Sequence, residues 1–294
     1  MRRFEYFEPK TVEEAIKILV QYGANTKILA GGTILVPELK SGNLKPDCVI
    51  NIKAIEGLCE VGEDHEGIHV GALVPLAELA MVEITKRRIV PPSLVERIPI
   101  FLRKMISLMG NPQVRNIATI VGNLAWGSPA ADSAPPLLAL DVQLKLHGSR
   151  TRRVVPLDEF FLAPGKTALK QDEVITEILI PATSLNKVGM SHKFMKRKAN
   201  TLSVCSASVS FNKDEGESVK DIRIAVGAVA PVPMRIKKAE SLLEGQSIND
   251  ELLKKMRETI SKEISPITDL RSTDWFRREV TPILVERCVR EALV

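Results

Sequence analysis

The sequence lacks the metal-ligand spacings of most metalloproteins and the cysteine pattern of disulfide-rich proteins. Its four cysteines are scattered through 294 residues, and no two of them have the spacing of a metal or iron–sulfur site. Its four histidines form no ligand pattern either, because the stretch between His65 and His69 predicts a turn followed by a strand. We therefore expect neither a metal centre nor a disulfide framework in this chain.

Long apolar runs are also absent. No run approaches the length of a membrane span, and residues 1–9 carry charge without the apolar core of a signal peptide. The excess of 41 basic over 36 acidic residues is small and spread along the chain. Such a charge does not indicate nucleic acid, whereas a phosphate-bearing ligand or an acidic partner would suit it. We expect a cytoplasmic protein with no membrane span and no nucleic-acid partner.

The common nucleotide-binding motifs are missing as well. No Gly-x-Gly-x-x-Gly follows a predicted strand, which excludes a standard dinucleotide fold. Residues 164–167 (PGKT) resemble the end of a phosphate-binding P-loop, but Phe160 stands where its first glycine should be, so we predict an ordinary loop. No Gly-x-Ser-x-Gly elbow of a hydrolase is present.

Two runs of small residues stand out instead. Residues 118–132 read ATIVGNLAWGSPAAD, and residues 29–33 read LAGGT. The second run lies between a predicted strand (27–30) and a predicted helix (34–40), where free backbone N–H groups and the helix dipole favour an anion. We infer that the two runs converge on one extended, phosphate-bearing ligand.

The predicted elements divide the chain near residues 181–188. Before this boundary, helices are predicted at 11–23, 34–40, 75–81, 93–109 and 135–140, and strands at 27–30, 47–52, 67–72, 142–146, 152–156 and 174–180. After it, three long strands (190–197, 203–211 and 219–229) precede three helices (235–243, 249–264 and 274–293). We predict a first domain of residues 1–181, with subdomains of about 1–55 and 56–181, and a second domain of residues 188–294.

The two small-residue runs resemble the FAD-binding segments of one family, the FAD-binding (medium) subunits of the molybdenum hydroxylases. Members of this family belong to enzymes of the carbon monoxide dehydrogenase, xanthine dehydrogenase and aldehyde oxidoreductase type. The likeness continues, in the same order, through LDEFF at 157–161, DEVITEI at 172–178, KFMKRK at 193–198 and ISPITDLRS at 264–272. It implies an α+β protein, in which a two-part α/β FAD-binding domain of the PCMH type precedes a C-terminal α+β domain with an antiparallel sheet and helices.

The resemblance also implies a set of FAD-binding residues: Ile28, Leu29, Ala30, Gly31, Gly32, Thr33, Ile34, Leu35, Gly110, Val114, Ala118, Thr119, Gly122, Asn123, Asp132, Ile175 and Lys196. The glycine runs would hold the pyrophosphate, Asp132 would lie near the ribityl or sugar part, and Lys196 near the flavin ring. Two alternatives stay open. Asp132 could cap the following helix, and Lys196 could be a solvent-exposed member of the basic cluster at 193–198.

The implied function is electron transfer, with no catalytic residue and no metal ligand on this chain. Electrons would pass from a large subunit with a molybdopterin-type molybdenum cofactor, through the [2Fe-2S] clusters of a small subunit, to FAD and then to NAD or a quinone. The three chains would form a heterotrimer or its dimer. The alternatives are a stand-alone FAD-dependent oxidase or reductase, for which no acid–base constellation is found, and a non-enzymatic FAD-dependent assembly or sensor protein.

Overall fold

The computed structural model describes residues 2–80, 89–198, 200–213 and 218–294. These residues build a three-stranded, a five-stranded and a four-stranded sheet, together with a two-stranded hairpin. The sheets follow one another along the chain, so each can be described with its own helices. None of the described helices combines the length and the apolar character needed to cross a membrane.

The first unit is a small parallel α/β layer. It comprises β1 (Glu5–Phe7), α1 (Val12–Tyr22), β2 (Thr26–Leu29), α2 (Leu35–Ser41) and β3 (Cys48–Asn51), with strand order β1-β3-β2. Helix α1 begins as expected, because the Oγ1 atom of Thr11 accepts a hydrogen bond from the Glu14 N–H at 3.1 Å. The glycine run follows the carboxyl end of β2, which is the edge where open α/β sheets bind ligands.

The second unit is a mixed layer around an antiparallel sheet. Its elements are β4 (Val61–Glu63), β5 (Gly67–Gly71), α3 (Leu76–Leu79), α4 (Pro92–Arg97), α5 (Ile100–Ser107), α6 (Pro112–Arg115), α7 (Ile120–Ala125), α8 (Ala134–Ala139), β6 (Gln143–His147), β7 (Arg152–Pro156), β8 (Phe161–Ala163), β9 (Lys166–Thr167) and β10 (Val174–Pro181). The sheet order is β4-β5-β10-β6-β7, and β8 pairs with β9. The helices between β5 and β6 bury their apolar side chains in the same core as this sheet.

The single helix predicted for residues 93–109 is wrong, because the chain forms α4 and α5 with a break between them. Ile98 is extended, with φ −68° and ψ 127°, and Pro99 caps the start of α5. Proline lacks an N–H group and disfavours the helical conformation of the residue before it. The predicted end of the helix at 75–81 lies outside the described residues.

The third unit has the predicted antiparallel meander followed by helices. It comprises β11 (Val188–Phe194), β12 (Cys205–Lys213), β13 (Val219–Gly227), β14 (Met234–Arg235), α9 (Lys237–Leu243), α10 (Asp250–Glu263) and α11 (Asp274–Leu293), with the strands in sequence order. Strand β11 ends at Phe194, within the basic cluster and not at residue 197, so the segment that follows it, described at residues 195–198 and 200–204, is a loop. We name it the β11–β12 loop.

The third unit packs against the second through α8 and through charged side chains. The Oδ2 atom of Asp141 accepts a hydrogen bond from the Nε atom of Arg223 at 2.8 Å, and its Oδ1 atom accepts one from Nη1 of Arg235 at 2.7 Å. Asp141 lies just after α8, and both arginines belong to the sheet of the third unit. This attachment brings the β11–β12 loop beside the second unit.

Candidate functional site

A cavity of about 990 Å³ opens between the first and second units and is closed on one side by the β11–β12 loop. This volume lies at the upper end of the range of small-molecule and cofactor pockets. Residues 30–35, which include both glycines of the LAGGT run, line it together with the small-residue run that begins at Ala118 and with residues 200–202. The structure therefore brings the two runs to one cavity.

Gly31 allows the two runs to touch. A Cβ atom at this position would lie 2.1 Å from the carbonyl oxygen of Ile117 and 2.9 Å from the Cα atom of Ala118. Real Cβ atoms essentially never approach backbone so closely. Gly31 is thus required for the contact between the first and second units at the cavity wall.

The next residues present backbone donors to the cavity. Gly32 has a positive φ of 72°, and α2 begins three residues later. Among the described residues, no atom of the chain accepts a hydrogen bond from the N–H groups of Gly32, Thr33 or Ile34. All three residues line the cavity. Unpaired N–H groups before a helix form an anion-binding concavity.

Helix α7 forms the facing wall. Thr119 caps it, and its Oγ1 atom accepts a hydrogen bond from the Gly122 N–H at 3.0 Å. The Oδ1 atom of Asn123 accepts one from the Ser133 hydroxyl at 2.7 Å, which leaves the Nδ2 group of this amide available to a ligand. The hydroxyl of Thr119 thus holds the helix, while Gly122 and Asn123 face the cavity.

Asp132 lies in the cavity wall and is 6% exposed. Its Oδ2 atom accepts a hydrogen bond from the Nζ atom of Lys193 at 2.6 Å, and its Oδ1 atom accepts one from the Ser203 hydroxyl. The alternative role for Asp132, capping the next helix, is wrong, because no side chain caps α8. The lysine that approaches the cavity wall here is Lys193, which the sequence did not single out.

A second carboxylate in the cavity wall, that of Glu173, is also paired. It accepts hydrogen bonds from the Arg153 Nε and Nη2 atoms at 2.7 and 2.8 Å, and from the Lys170 N–H at 2.8 Å. Burial alone would raise the pKa of Glu173, but these hydrogen bonds outweigh it and lower the pKa below its ordinary value. Glu173 is therefore an ionised, fully engaged carboxylate.

Most of the implied FAD-binding residues line the cavity. They are Ile28, Ala30, Gly31, Gly32, Thr33, Ile34, Leu35, Gly110, Val114, Ala118, Thr119, Gly122, Asn123, Asp132 and Ile175. Leu29 does not line it, and packs instead against Leu35, Leu39 and Val49. Lys196 does not line it either, because this side chain is exposed and its Nζ atom donates to the Leu270 carbonyl at 2.8 Å.

The sequence analysis missed several residues of the cavity wall. They include Thr26, Lys27, Met109, Gly165, Thr167, Lys170, Gln171, Glu173, Asn200, Thr201 and Leu202. Gly165 reaches the wall through a hydrogen bond from its N–H group to the Gly127 carbonyl at 2.9 Å. Neither this contact nor the approach of residues 200–202 leaves a local signal, because the partners are far apart in the chain.

Similarity to known proteins extends over nearly the whole chain. Residues 2–183 match the family model described as the FAD binding domain in molybdopterin dehydrogenase, and residues 190–292 match that of the CO dehydrogenase flavoprotein C-terminal domain. The carbon monoxide dehydrogenase medium chain of Hydrogenophaga pseudoflava is 32% identical over 290 residues, which cover 99% of this chain and 97% of that one. The glyceraldehyde dehydrogenase medium chain of Sulfolobus acidocaldarius is 30% identical, covering 98% of each.

The fold matches as well. A solved structure of the Hydrogenophaga pseudoflava carbon monoxide dehydrogenase, which lacks the Mo-pyranopterin moiety of the molybdenum cofactor, has a TM-score of 0.91 at 31% identity. The match covers 99% of this chain and 97% of that chain. Both the sequence and the architecture are thus shared over the full length of the described units.

Proposed function

Since this chain belongs to the FAD-binding medium subunits of the molybdenum hydroxylase family and is an oxidoreductase component, we propose that it passes electrons from the [2Fe-2S] clusters of a partner subunit through FAD to NAD or a quinone. The observation that carries this proposal is the cavity itself. Its walls offer backbone N–H groups from the glycine run, and its carboxylates are already engaged in ion pairs.

The residues present fit FAD. The unpaired N–H groups of Gly32, Thr33 and Ile34 would hold the pyrophosphate, with Gly122 on the facing wall. The apolar side chain of Ile175 also lines the cavity and would contact the flavin ring. When bound, FAD supplies the electron-transfer chemistry, and the chain supplies binding, orientation and electrostatics.

The pairing of the cavity carboxylates favours an electron carrier over a stand-alone oxidase. An oxidase that must remove a proton from an organic substrate needs a free acid or base beside the flavin. Among the described residues of the cavity wall, the carboxylates are Asp132 and Glu173, and each is bound by a cation. Neither is available to exchange a proton with an organic substrate.

We propose that the partners are a large subunit with the molybdenum cofactor and a small [2Fe-2S] subunit. The relatives carry the name medium chain and belong to dehydrogenases of different compounds, carbon monoxide and glyceraldehyde. Such variety at 30% to 32% identity supports a common electron-transfer role for the medium chain, with the oxidised compound chosen on another subunit.

The cofactor is tested on the purified protein. Its absorption spectrum should show the two visible bands of an oxidised flavin, and acid release followed by chromatography should yield FAD and not FMN. FAD is expected because residues 2–183 match an FAD binding domain, and the cavity of about 990 Å³ is lined by Thr26, Lys27 and Gln171 as well as by the glycine run. A colourless protein that stays without flavin during titration with FAD would contradict the proposal.

A variant pair tests the pyrophosphate position. Gly122→Asp places a carboxylate at the facing wall, and we expect it to weaken FAD binding at least about tenfold through charge repulsion. Gly122→Ala is the matched control, because its Cβ atom also meets the Oγ1 atom of Thr119 at 2.9 Å but carries no charge. Equal FAD affinities of the two variants, measured by fluorescence titration, would place the phosphates elsewhere.

A further inference from the structure

Lys193 is a buried cation that joins three parts of the cavity wall. Its side chain is 0% exposed, and that of Asp132 is 7% exposed. The Nζ atom donates to the Oδ2 atom of Asp132 at 2.6 Å and to the Thr201 carbonyl at 2.8 Å. A longer contact of 3.5 Å reaches the Leu108 carbonyl, one residue before the cavity-lining Met109.

The β11–β12 loop is held by this ion pair at two points. Thr201 is bound through its carbonyl to Lys193, and Ser203 is bound through its hydroxyl to the Oδ1 atom of Asp132. Between and beside these points, Asn200, Thr201 and Leu202 form a side of the cavity. Asp132 belongs to the second unit, whereas Lys193 and the loop belong to the third. The ion pair therefore fixes how closely the loop approaches the cavity.

We propose that Lys193 and Asp132 are positioning residues that hold residues 200–202 closed over the bound FAD. The inference rests on the proposed function, since it concerns the same cavity. Asp132 acts through the loop, because one of its oxygen atoms accepts a hydrogen bond from Lys193, which holds the Thr201 carbonyl, and the other accepts one from Ser203 of the loop. A charged pair suits this task, because the buried Lys193 ammonium has its full set of hydrogen bonds only when the loop supplies the Thr201 carbonyl.

The position of the β11–β12 loop can be measured by its cleavage with trypsin. Lys196, Arg197 and Lys198 are exposed, and trypsin cleaves after such residues when the backbone can open. We expect Lys193→Met to weaken FAD binding about tenfold or more. It should also speed tryptic cleavage at this loop in the presence of saturating FAD and change the visible circular dichroism of the bound flavin.

A double variant separates positioning from stability. Lys193→Met alone leaves the Asp132 carboxylate buried without its cation, which lowers stability. Adding Asp132→Asn removes that charge, so we expect the double variant to recover much of the thermal stability. It should still bind FAD as weakly as the single variant and be cleaved as fast, because the Thr201 carbonyl still lacks the lysine that holds it. Recovery of wild-type FAD affinity together with stability would overturn the proposal.

Lys187→Met is the matched control. Lys187 also has a side chain 0% exposed and pairs with Asp221 at 2.7 Å, but it does not line the cavity. We expect this variant to lose stability while its FAD affinity and loop cleavage stay at wild-type values. Equal effects of Lys187→Met and Lys193→Met on FAD would overturn the proposal. Wild-type protein that binds no FAD would instead contradict the proposed function.

Discussion

A single missing side chain, at Gly31, lets the first two units share one cavity. The carbonyl of Ile117 occupies the place where a Cβ atom would be. The pattern of two glycines between a strand and a helix predicted an anion site, and it is Gly32 and the residues after it that present the free N–H groups. The two glycines thus have different physical roles, close approach for Gly31 and a left-handed backbone for Gly32.

Gly31→Ala should therefore damage both the fold and the cavity. The added methyl group forces backbone segments apart, and overpacking of this kind costs about 1–3 kcal/mol. We expect a lower free energy of unfolding in urea and a weaker affinity for FAD. Gly62→Ala is the control, because a Cβ atom there has no neighbour within 4 Å. If both variants unfold at the same urea concentration, Gly31 is not needed for the close contact.

At the scale of elements, His69 joins the edge of the five-stranded sheet to its centre. His69 lies on β5, its Nδ1 atom is 3.0 Å from Glu177 on β10, and its Nε2 atom is 2.9 Å from Asp64 in the preceding turn. Two carboxylate partners favour a doubly protonated ring. Burial would lower the pKa of His69, but the hydrogen bonds to Asp64 and Glu177 outweigh it and raise the pKa. The same contact lowers the pKa of Asp64 to about 2.

The raised pKa of His69 determines how its contribution to the free energy of unfolding changes with pH. Its stabilisation is fully present below the unfolded-state pKa of about 6.5 and is lost as the pH rises through the higher folded-state value. The loss of free energy of unfolding caused by His69→Gln should thus be larger at pH 6 than at pH 9, measured by urea unfolding. The control variant His65→Gln, at an exposed residue, should show no such change of stability with pH. A loss that grows towards pH 9 would contradict the assignment.

At the scale of the whole molecule, Asp141 links the second and third units. It accepts hydrogen bonds from Arg223 and Arg235, and Lys187 lies 3.6 Å away. Asp141 also has a left-handed backbone, with φ 52°, a conformation that asparagine adopts as readily as aspartate. The hydrogen bonds from the two arginines hold the third unit, and with it the β11–β12 loop, against the rest of the protein.

Asp141→Asn should test this link without disturbing the backbone. Removal of the charge weakens hydrogen bonds to two arginines, and we expect a loss of about 1–3 kcal/mol in the free energy of unfolding. Asp250→Asn, which weakens a surface contact with Arg290, is the control and should lower stability far less, because solvent screens this exposed pair. If the two variants lose equal stability in urea unfolding, Asp141 contributes no more to stability than a surface ion pair does.

The sequence by itself determined the features that depend on neighbours in the chain. The Thr11 cap, the glycine run between β2 and α2, and the meander before three helices were all predicted, because capping, turn and alternation patterns are local. A local rule was also overlooked, since Pro99 in the sequence forbids the continuous helix predicted for 93–109.

Only the tertiary structure decided which side chains meet at the cavity. The basic cluster offers several cations within six residues, and the structure buries Lys193 beside Asp132 while Lys196 points to Leu270 at the surface. Strand alternation allows either lysine to face inward, because β11 can end at any residue of the cluster. The choice follows from the packing of the third unit against the second, which brings together residues 61 positions apart. Contacts at such separation depend on the burial of charge and on the fit of whole units, and no local pattern encodes them.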